Sequence, residues 1–582
     1  MNNTPQEILQ QVEMLLKQGE YKNALEILET ISSREKLTAD GKVTGMLFES
    51  RIRTKIGELQ KARVIVEEIL SLDRKTIDQL KVIDTFILKA EISWRLGNLE
   101  EGLQSVQEGE KLLNEGGKKK AFTKRKRNLL RNRGIICWYM GKLDDAAAFL
   151  EQSLVISEEE KDKKGIADSL NNLGLIYQSK GEFKCALEYY QQSLPIYEGL
   201  EDKESISKLV NNIGITYSSI GDQEQALKYF QKTHKIRQEL GNKADIALTL
   251  INLGAVYRMQ GELSNAFEHY QEGQKIYEEI KDKKGIALSL NNLGDVYQLK
   301  GNLSLALEYY QESLTLYEEL GIKQDVAMSL TNIGELYRKK RNPEWALKYY
   351  ERSLAMYEEL KNDSSAATVL YELVLLAIDS NELGLAQEHL EKLRQITERI
   401  ENQIVKHRYL IANALILKSH KRTRHKMKAE ELLIEVVEDE IVDHVLTVTA
   451  MIHLCDLLLF ELKMTGEEEI LIEVKNLTEK LHNIAKQQAS HSLLTETYVL
   501  QSKLALLEMD IQTAQKLLEQ ALVTAEERGL RNLAIKIYSE KTLTRNRDRE
   551  MEVSCQTKSS IKRTARVNTI RRIDQPSREG TT

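Results

Sequence analysis

Glycine returns every 40 residues through the middle of this chain, at Gly134, Gly174, Gly214, Gly254, Gly294 and Gly334. A second column runs in the same register at Gly141, Gly181, Gly221, Gly261 and Gly301, with Arg341 as its one substitution. Alanine forms a third, at 146, 186, 226, 266, 306, 346 and 386. Three columns sharing one period restrict the chain to a repeat architecture, in which one supersecondary unit stacks on copies of itself to bury a face it cannot bury alone.

Each unit reads as a pair of helices. Apolar residues fall three and four apart in two blocks, as in Leu170, Leu173, Tyr177 and then Ala186, Leu187, Tyr190, Leu194. The second glycine column lies between the blocks, where a left-handed residue closes a helix without steric penalty. Ahead of each first helix stand Asp162, Asp202, Asn242, Asp282 and Asn362, side chains that cap exposed helix N–H groups, with Ile322 breaking the column. The first glycine column falls inside a helix, where glycine costs about 1 kcal/mol relative to alanine, so its recurrence predicts a close backbone crossing against the alanine column. The aromatics at 177, 217, 257, 297 and 337 are expected to pack against the following repeat.

Leu290-Asn-Asn-Leu-Gly-Asp-Val-Tyr297 with Ala306 and Tyr310, and Leu250 to Tyr257 with Ala266 and Tyr270, carry a resemblance to the tetratricopeptide repeat family. The 40-residue unit lacks that family's terminal proline and is similar to the repeats of kinesin light chains and Leu-Gly-Asn adaptors. The resemblance implies an all-α fold, a right-handed superhelical solenoid of helix-turn-helix repeats.

Residues 131–395 hold the regular repeats. Residues 1–130 read as divergent ones, with Gly19 and Ala24, Gly57 and Ala62, and Gly97 and Gly102 repeating the turn-and-crossing pair. Residues 396–540 read as degenerate hairpins that close the last apolar face, as terminal repeats must. Across 541–582 the apolar period stops and eleven Lys or Arg stand against five Asp or Glu, the pattern of a disordered tail.

Only four prolines interrupt 582 residues, and 41% hydrophobic with 30% charged residues suits a folded, soluble, helical chain. No long uncharged apolar run suggests a membrane span; the most apolar, Met451 to Leu462, contains His453, Asp456 and Glu461. The N-terminus is amphipathic and lacks a basic leader, so a cytoplasmic location is expected. Cys137, Cys185, Cys455 and Cys555 have no paired spacing, and the ten histidines form no ligand-spaced cluster, so neither a disulfide framework nor a metal or other cofactor is expected. HExxH, GxSxG and GxxxxGK[ST] patterns are absent, and Gly116-Gly117-Lys118 lacks the rest of a phosphate loop; the chain is not expected to be an enzyme.

The expected function is that of a scaffold or adaptor whose partner is a protein or peptide, held as an extended segment in the concave groove. The candidate groove residues begin with an asparagine column two places before the helix glycine: Asn132, Asn172, Asn212, Asn252, Asn292 and Asn332. Asparagine is a poor helix former, and its carboxamide offers a donor and an acceptor that match one peptide unit. In the repeat region of O-linked N-acetylglucosamine transferases, which the sequence also resembles, such asparagines line the inner face and hold a peptide backbone. Immediately after the glycine this chain departs from that pattern with Ile135, Leu175, Ile215, Ala255, Asp295 and Glu335, so the groove is expected to run from apolar to acidic, with Arg258 and Arg338 one turn further along. The other reading has the asparagines bridging neighbouring first helices and binding nothing.

A different function remains open, that of a sensory regulator whose solenoid binds a peptide or small effector to control a partner or output. Two basic clusters, Lys118 to Arg133 and Lys418 to Lys428, and the tail cations Lys562, Arg563, Arg566, Arg571 and Arg572 offer themselves to anions. Residues 1–540 nevertheless carry a net charge of -12, the whole-chain -6 less the tail's +6, which disfavours nucleic acid.

Overall fold

The computed structural model describes residues 5–18, 20–30, 38–73, 77–115, 120–400, 402–420, 422–439, 444–487, 490–528, 530 and 533–542. The segment read as a tail therefore lies, from 543, outside the described residues. Among the described residues, helices run from α1 (Pro5–Gln18) to α26 (Ile511–Glu527), each odd helix pairing with the next into thirteen hairpins, a last helical segment covers 533–542, and no strand occurs.

In the regular array the first helices are α9 (Lys163–Lys180), α11 (Lys203–Ile220), α13 (Lys243–Gln260), α15 (Lys283–Leu299), α17 (Lys323–Lys339) and α19 (Asp363–Asp379), each starting 40 residues after the last. The capping residues set that register. Asp162, Asp202, Asn242, Asp282 and Asn362 each accept a backbone N–H from the first turn, while Ile322 makes no side-chain cap. The turn glycines Gly181, Gly221 and Gly261 sit at φ +86°, +94° and +81°, and Arg341 takes the same left-handed backbone at +56°.

The helix glycines do mark close approaches, but to a side chain. A Cβ added at Gly254 would lie 2.6 Å from Cε1 of Tyr270, and one at Gly174 would lie 2.3 Å from Cε1 of Tyr190. Phe230, Tyr310 and Tyr350 stand likewise against Gly214, Gly294 and Gly334. The expected thin crossing of glycine against alanine is thus corrected: the alanines are fully buried, and the ring four residues after the alanine lies closest to five of the six glycines, with Leu150 and the Ala146 carbonyl in that place at Gly134. The other aromatic column sits in clusters that include apolar residues of the following repeat, and it packs within its own repeat as well. Tyr177, Tyr217, Tyr297 and Tyr337 stack on Tyr189, Tyr229, Tyr309 and Tyr349 of the second helix in their own repeat, with ring centroids 5.2 to 5.5 Å apart. Tyr297 also meets Phe267 of the preceding repeat edge-on at 5.8 Å.

The stack coils back on itself. At the start of α21 (Gln403–Ser419), Asn402 donates to the Ser179 carbonyl at 3.3 Å, six hairpins earlier. His491, the first residue of α25 (His491–Leu507), lies 3.3 Å from Glu262, again six hairpins earlier, and Arg528 pairs with the same carboxylate at 2.9 Å. Lys361 reaches Glu100 at 2.6 Å. One superhelical turn therefore takes about six hairpins, and the second turn seats its edge on the first. Apolar contact joins in: Val499, Leu518, Ala521, Leu522, Leu530 and Ile537 share one buried cluster with Leu263, Ala266 and Tyr270. By length and composition, the stretch Val445–Thr465 is apolar enough to cross a membrane. Ala450, Met451, Leu454, Cys455 and Leu458 in it are buried in the helical core, so packing between neighbouring hairpins accounts for its composition.

Candidate groove on the concave face

Successive first helices pack on one another from α7 (Lys120–Tyr139) to α15, whereas successive second helices do not to the same degree. The first helices therefore line the inside of the curve. Half-buried residues on that side recur at the register positions of Asn172, Leu175 and Ser179.

Apart from Asn132 the asparagine column lies there, and three of its six members are bridged to an asparagine of the preceding repeat. Asn212 donates to Asn171 Oδ1 at 3.1 Å, Asn252 to Asn211 Oδ1 at 2.8 Å, and Asn332 to Asn291 Oδ1 at 3.0 Å. Each bridge ties one repeat to the next through amide ends, and the other end of Asn212, Asn252 and Asn332 has no protein partner among the described residues. Asn292 meets Ile251 in place of an asparagine and turns to its own Leu288 carbonyl at 2.8 Å. Asn132 is set apart: only 1% exposed, it donates to the Ile87 carbonyl at 2.8 Å and does not line the groove. The partner column of Asn171, Asn211 and Asn291 went unread in the sequence, although the Asn-Asn doublets at 171–172, 211–212 and 291–292 display it.

Toward its N-terminal end the groove is apolar. Leu175 and Ile215 line a cavity of about 230 Å³ with Trp138, Phe183, Ser219 and Ile404, the last reaching in from α21 of the following turn. The wall of this cavity thus includes both turns of the coil.

Toward the other end, charges meet one another across repeats. Arg258 stands 3.8 Å from Asp295, whose other oxygen accepts from Tyr310 at 2.7 Å. Lys339 holds Glu335 at 2.6 Å. Arg338 reaches Asp379 at 2.8 Å and Glu372 at 3.5 Å. The predicted quartet of Asp295, Glu335, Arg258 and Arg338 is therefore together on this face, but each arginine is turned toward a carboxylate of the next repeat, and Glu372, Gln298 and Tyr310 complete a network that sequence alone did not show.

Glu372 is the titrating member. Burial and the neighbouring Glu335 carboxylate push its carboxyl up to about 7, while Lys339 keeps Glu335 below the usual carboxylate range against its own burial. A carboxyl raised in the folded chain binds its proton more tightly than in the unfolded chain, so stability is lost as pH rises from the ordinary glutamate value of about 4.3 through about 7. Glu372→Gln should flatten that decline. Melting curves at pH 5 and pH 8 check it, and an unchanged pH dependence in the variant would show that Glu372 holds no such proton.

Two members of the second basic cluster are partnered within the fold: Lys418 pairs with Asp456 at 3.5 Å, and Lys426 lies 3.2 Å over the Phe460 ring. The tail cations lie outside the described residues. Cys137 and Cys455 are buried, Cys185 is half-buried, and none of the three is in a disulfide. Among the described residues no group of three or more His, Cys, Asp or Glu is placed to hold a metal ion.

The profile of the tetratricopeptide repeat family matches residues 126–199, 204–279, 245–319, 285–359 and 325–399. A comparison with curated protein sequences gives no match. Among solved structures, the chain is similar to a Rap protein complexed with competence and sporulation factor, at 17% identity and a TM-score of 0.48, covering 61% of this chain and 99% of that one. It is also similar to the apo form of the quorum sensor NprR from B. thuringiensis, at 15% identity and a TM-score of 0.44, covering 60% and 98%. A third is aspartyl phosphate phosphatase F from Bacillus subtilis, at 12% identity and a TM-score of 0.42, covering 62% and 96%. Likeness this distant carries nothing about ligand or activity. The array at 126–399, with its capped helix pairs and left-handed turns, is built of repeats of the tetratricopeptide family.

Proposed function

We propose that this protein is a cytoplasmic, non-catalytic scaffold or adaptor that holds an extended segment of a partner protein along the first helices of 131–395. The observation that carries the reading is the asparagine ladder. Each bridge fixes one amide end in the structure and leaves the other, at Asn212, Asn252 and Asn332, facing the groove without a protein partner. Amides already held in place lose little freedom when they bond a peptide unit, so ordering entropy opposes binding less. The apolar cavity at Leu175 and Ile215 suits one anchoring side chain of that segment, since interface energy concentrates in a few filled pockets.

The test is capture of partner proteins by the full chain and by Ile215→Asp, which places a charge in the cavity without touching the ladder. Circular dichroism should confirm that the variant folds, and its captured partners should be depleted. An identical set of partners on both would exclude the groove as the binding surface.

One observation favours the second reading, a sensory regulator. The turns of the coil meet through polar contacts such as Asn402 with Ser179 and Glu262 with His491 and Arg528. Ile404 lines the same cavity as Leu175 and Ile215, so an occupant there would touch both turns and bias the pitch of the coil.

A further inference from the structure

Lys124, Arg127 and Arg131, from the first basic cluster, lie three and four residues apart and so share one face of α7. That face looks onto the start of α9, where Lys164 stands. The four cations, with Asp162 and Asp168, line a pocket of about 240 Å³ at the seam between the fourth and fifth hairpins. Like charges this close on one helix oppose folding slightly, and nothing in the apolar packing requires them.

The carboxylates do not balance them. Asp162 pairs with Arg127 and caps α9 through the Gly165 N–H at 3.1 Å. Asp168 accepts from Tyr197 at 2.6 Å and stays 3.8 Å from Arg131, whose buried Nε has no partner. Lys164 turns to Asp202 at 2.6 Å but remains more than half exposed. Four cations against the two lining carboxylates and the Asp202 that holds Lys164 leave a surplus of one positive charge. Cations gather further around this region: besides burial, Arg95, Lys208 and Arg131 together push the Lys55 ammonium down, with Glu91 opposing them.

We propose that this pocket binds a phosphate monoester. A phosphate monoester presents three strong acceptor oxygens to these donors, whereas a carboxylate presents two. Arg131 offers a planar fork of donors with its Nε unengaged, and Lys124 and Lys164 supply mobile point charges. The source is either a phosphorylated side chain or a small phosphate ester. The pocket lies eleven residues along α9 from Leu175, roughly 16 Å at 1.5 Å per residue. A phosphorylated side chain here and an apolar one in the cavity would be about five residues apart on an extended segment. Only that choice of source rests on the groove reading; the pocket chemistry stands without it.

The experiment is titration of the full chain at low ionic strength with inorganic phosphate, O-phosphoserine, a phosphoserine-containing peptide and acetate, followed by phosphorus NMR line broadening and by calorimetry. Saturable binding of the phosphates, with acetate at least about tenfold weaker, is expected, because a phosphate can occupy the Arg131 fork with two oxygens and still offer a third to Lys124. Lys124→Gln with Arg131→Gln should weaken phosphate binding by about tenfold or more. Lys164→Gln, at an exposed side chain, serves as the milder variant should the pair fail to fold. A peptide that outbinds O-phosphoserine identifies a modified segment as the source and supports the groove; equal affinities identify a small ester and leave the pocket standing apart from it. No saturable phosphate binding, affinity equal to that of acetate, or affinity unchanged in a folded variant overturns the proposal.

Discussion

Gly254→Leu should lower the melting temperature of the array sharply, and even Gly254→Ala should be destabilising although alanine is the better helix former. The added Cβ would lie 2.6 and 2.7 Å from Cε1 and Cδ1 of Tyr270, closer than carbon atoms pack. The ring has nowhere to retreat, because Tyr270 is fully buried in a cluster that includes Tyr277, Leu293 and Val296. Overpacking of this kind typically costs about 1 to 3 kcal/mol and sometimes more. Repeat arrays lose cooperativity in segments, so hydrogen exchange across α13 and α14 (Leu263–Glu279) should report the loss alongside circular dichroism. Gly384 is the control. It sits exposed near the start of α20 (Leu383–Arg399) with nothing within 4 Å of an added Cβ, so Gly384→Ala should stabilise by roughly 0.4 to 1 kcal/mol. If Gly254→Ala behaved like Gly384→Ala, the ring would not lie where the structure places it.

The contrast between these glycines shows what the sequence discloses. Both stand in helices, and composition gives no means to tell them apart; only the 40-residue column marks Gly254 as constrained. The column announced a close neighbour but not which one, since Ala266 and Tyr270 recur in the same register and either could face the glycine. Local signals fared better because their physics is local. The capping aspartates, the left-handed turn glycines and the uncapped Ile322 occupy the places assigned to them, and each depends on atoms within a few residues. The coiling of one turn on the next was illegible: residues such as Asn402 and Ser179 meet across 223 positions, and a period of 40 says nothing of how many repeats close a turn.

The candidate site divides the same way. The periodic asparagines and the apolar-to-charged gradient were legible as columns, whereas the network around Glu372 depends on side chains from three successive first helices, α15, α17 and α19, reaching one another. Reading Asn212 and its equivalents as either bridge or binder treated the two ends of a carboxamide as one group. The structure separates them. One end is held by the preceding repeat and the other has no protein partner among the described residues, so bridging and binding would use different atoms.

Replacing Asn212, Asn252 and Asn332 together by alanine should therefore lower stability and partner affinity at once. Three amide bridges are lost, and Asn211 and Asn291, each only 6% exposed, keep a carboxamide oxygen that solvent can hardly reach. Each unpaired group of that kind costs about 1 to 3 kcal/mol, more than the few tenths that alanine returns through helix propensity, so the melting temperature should fall clearly. Asn292→Ala supplies the comparison, because Asn292 bonds only a carbonyl of its own helix and no neighbouring repeat depends on it. That variant should melt with the wild-type chain, and its affinity for a captured partner should fall by the two- to tenfold that one lost hydrogen bond of about 0.5 to 1.5 kcal/mol produces. A triple variant that melts unchanged would remove the bridges from the account of the fold. If both variants retained full partner affinity, the free amide ends would have no part in binding, and the asparagine column would serve only to hold the first helices together.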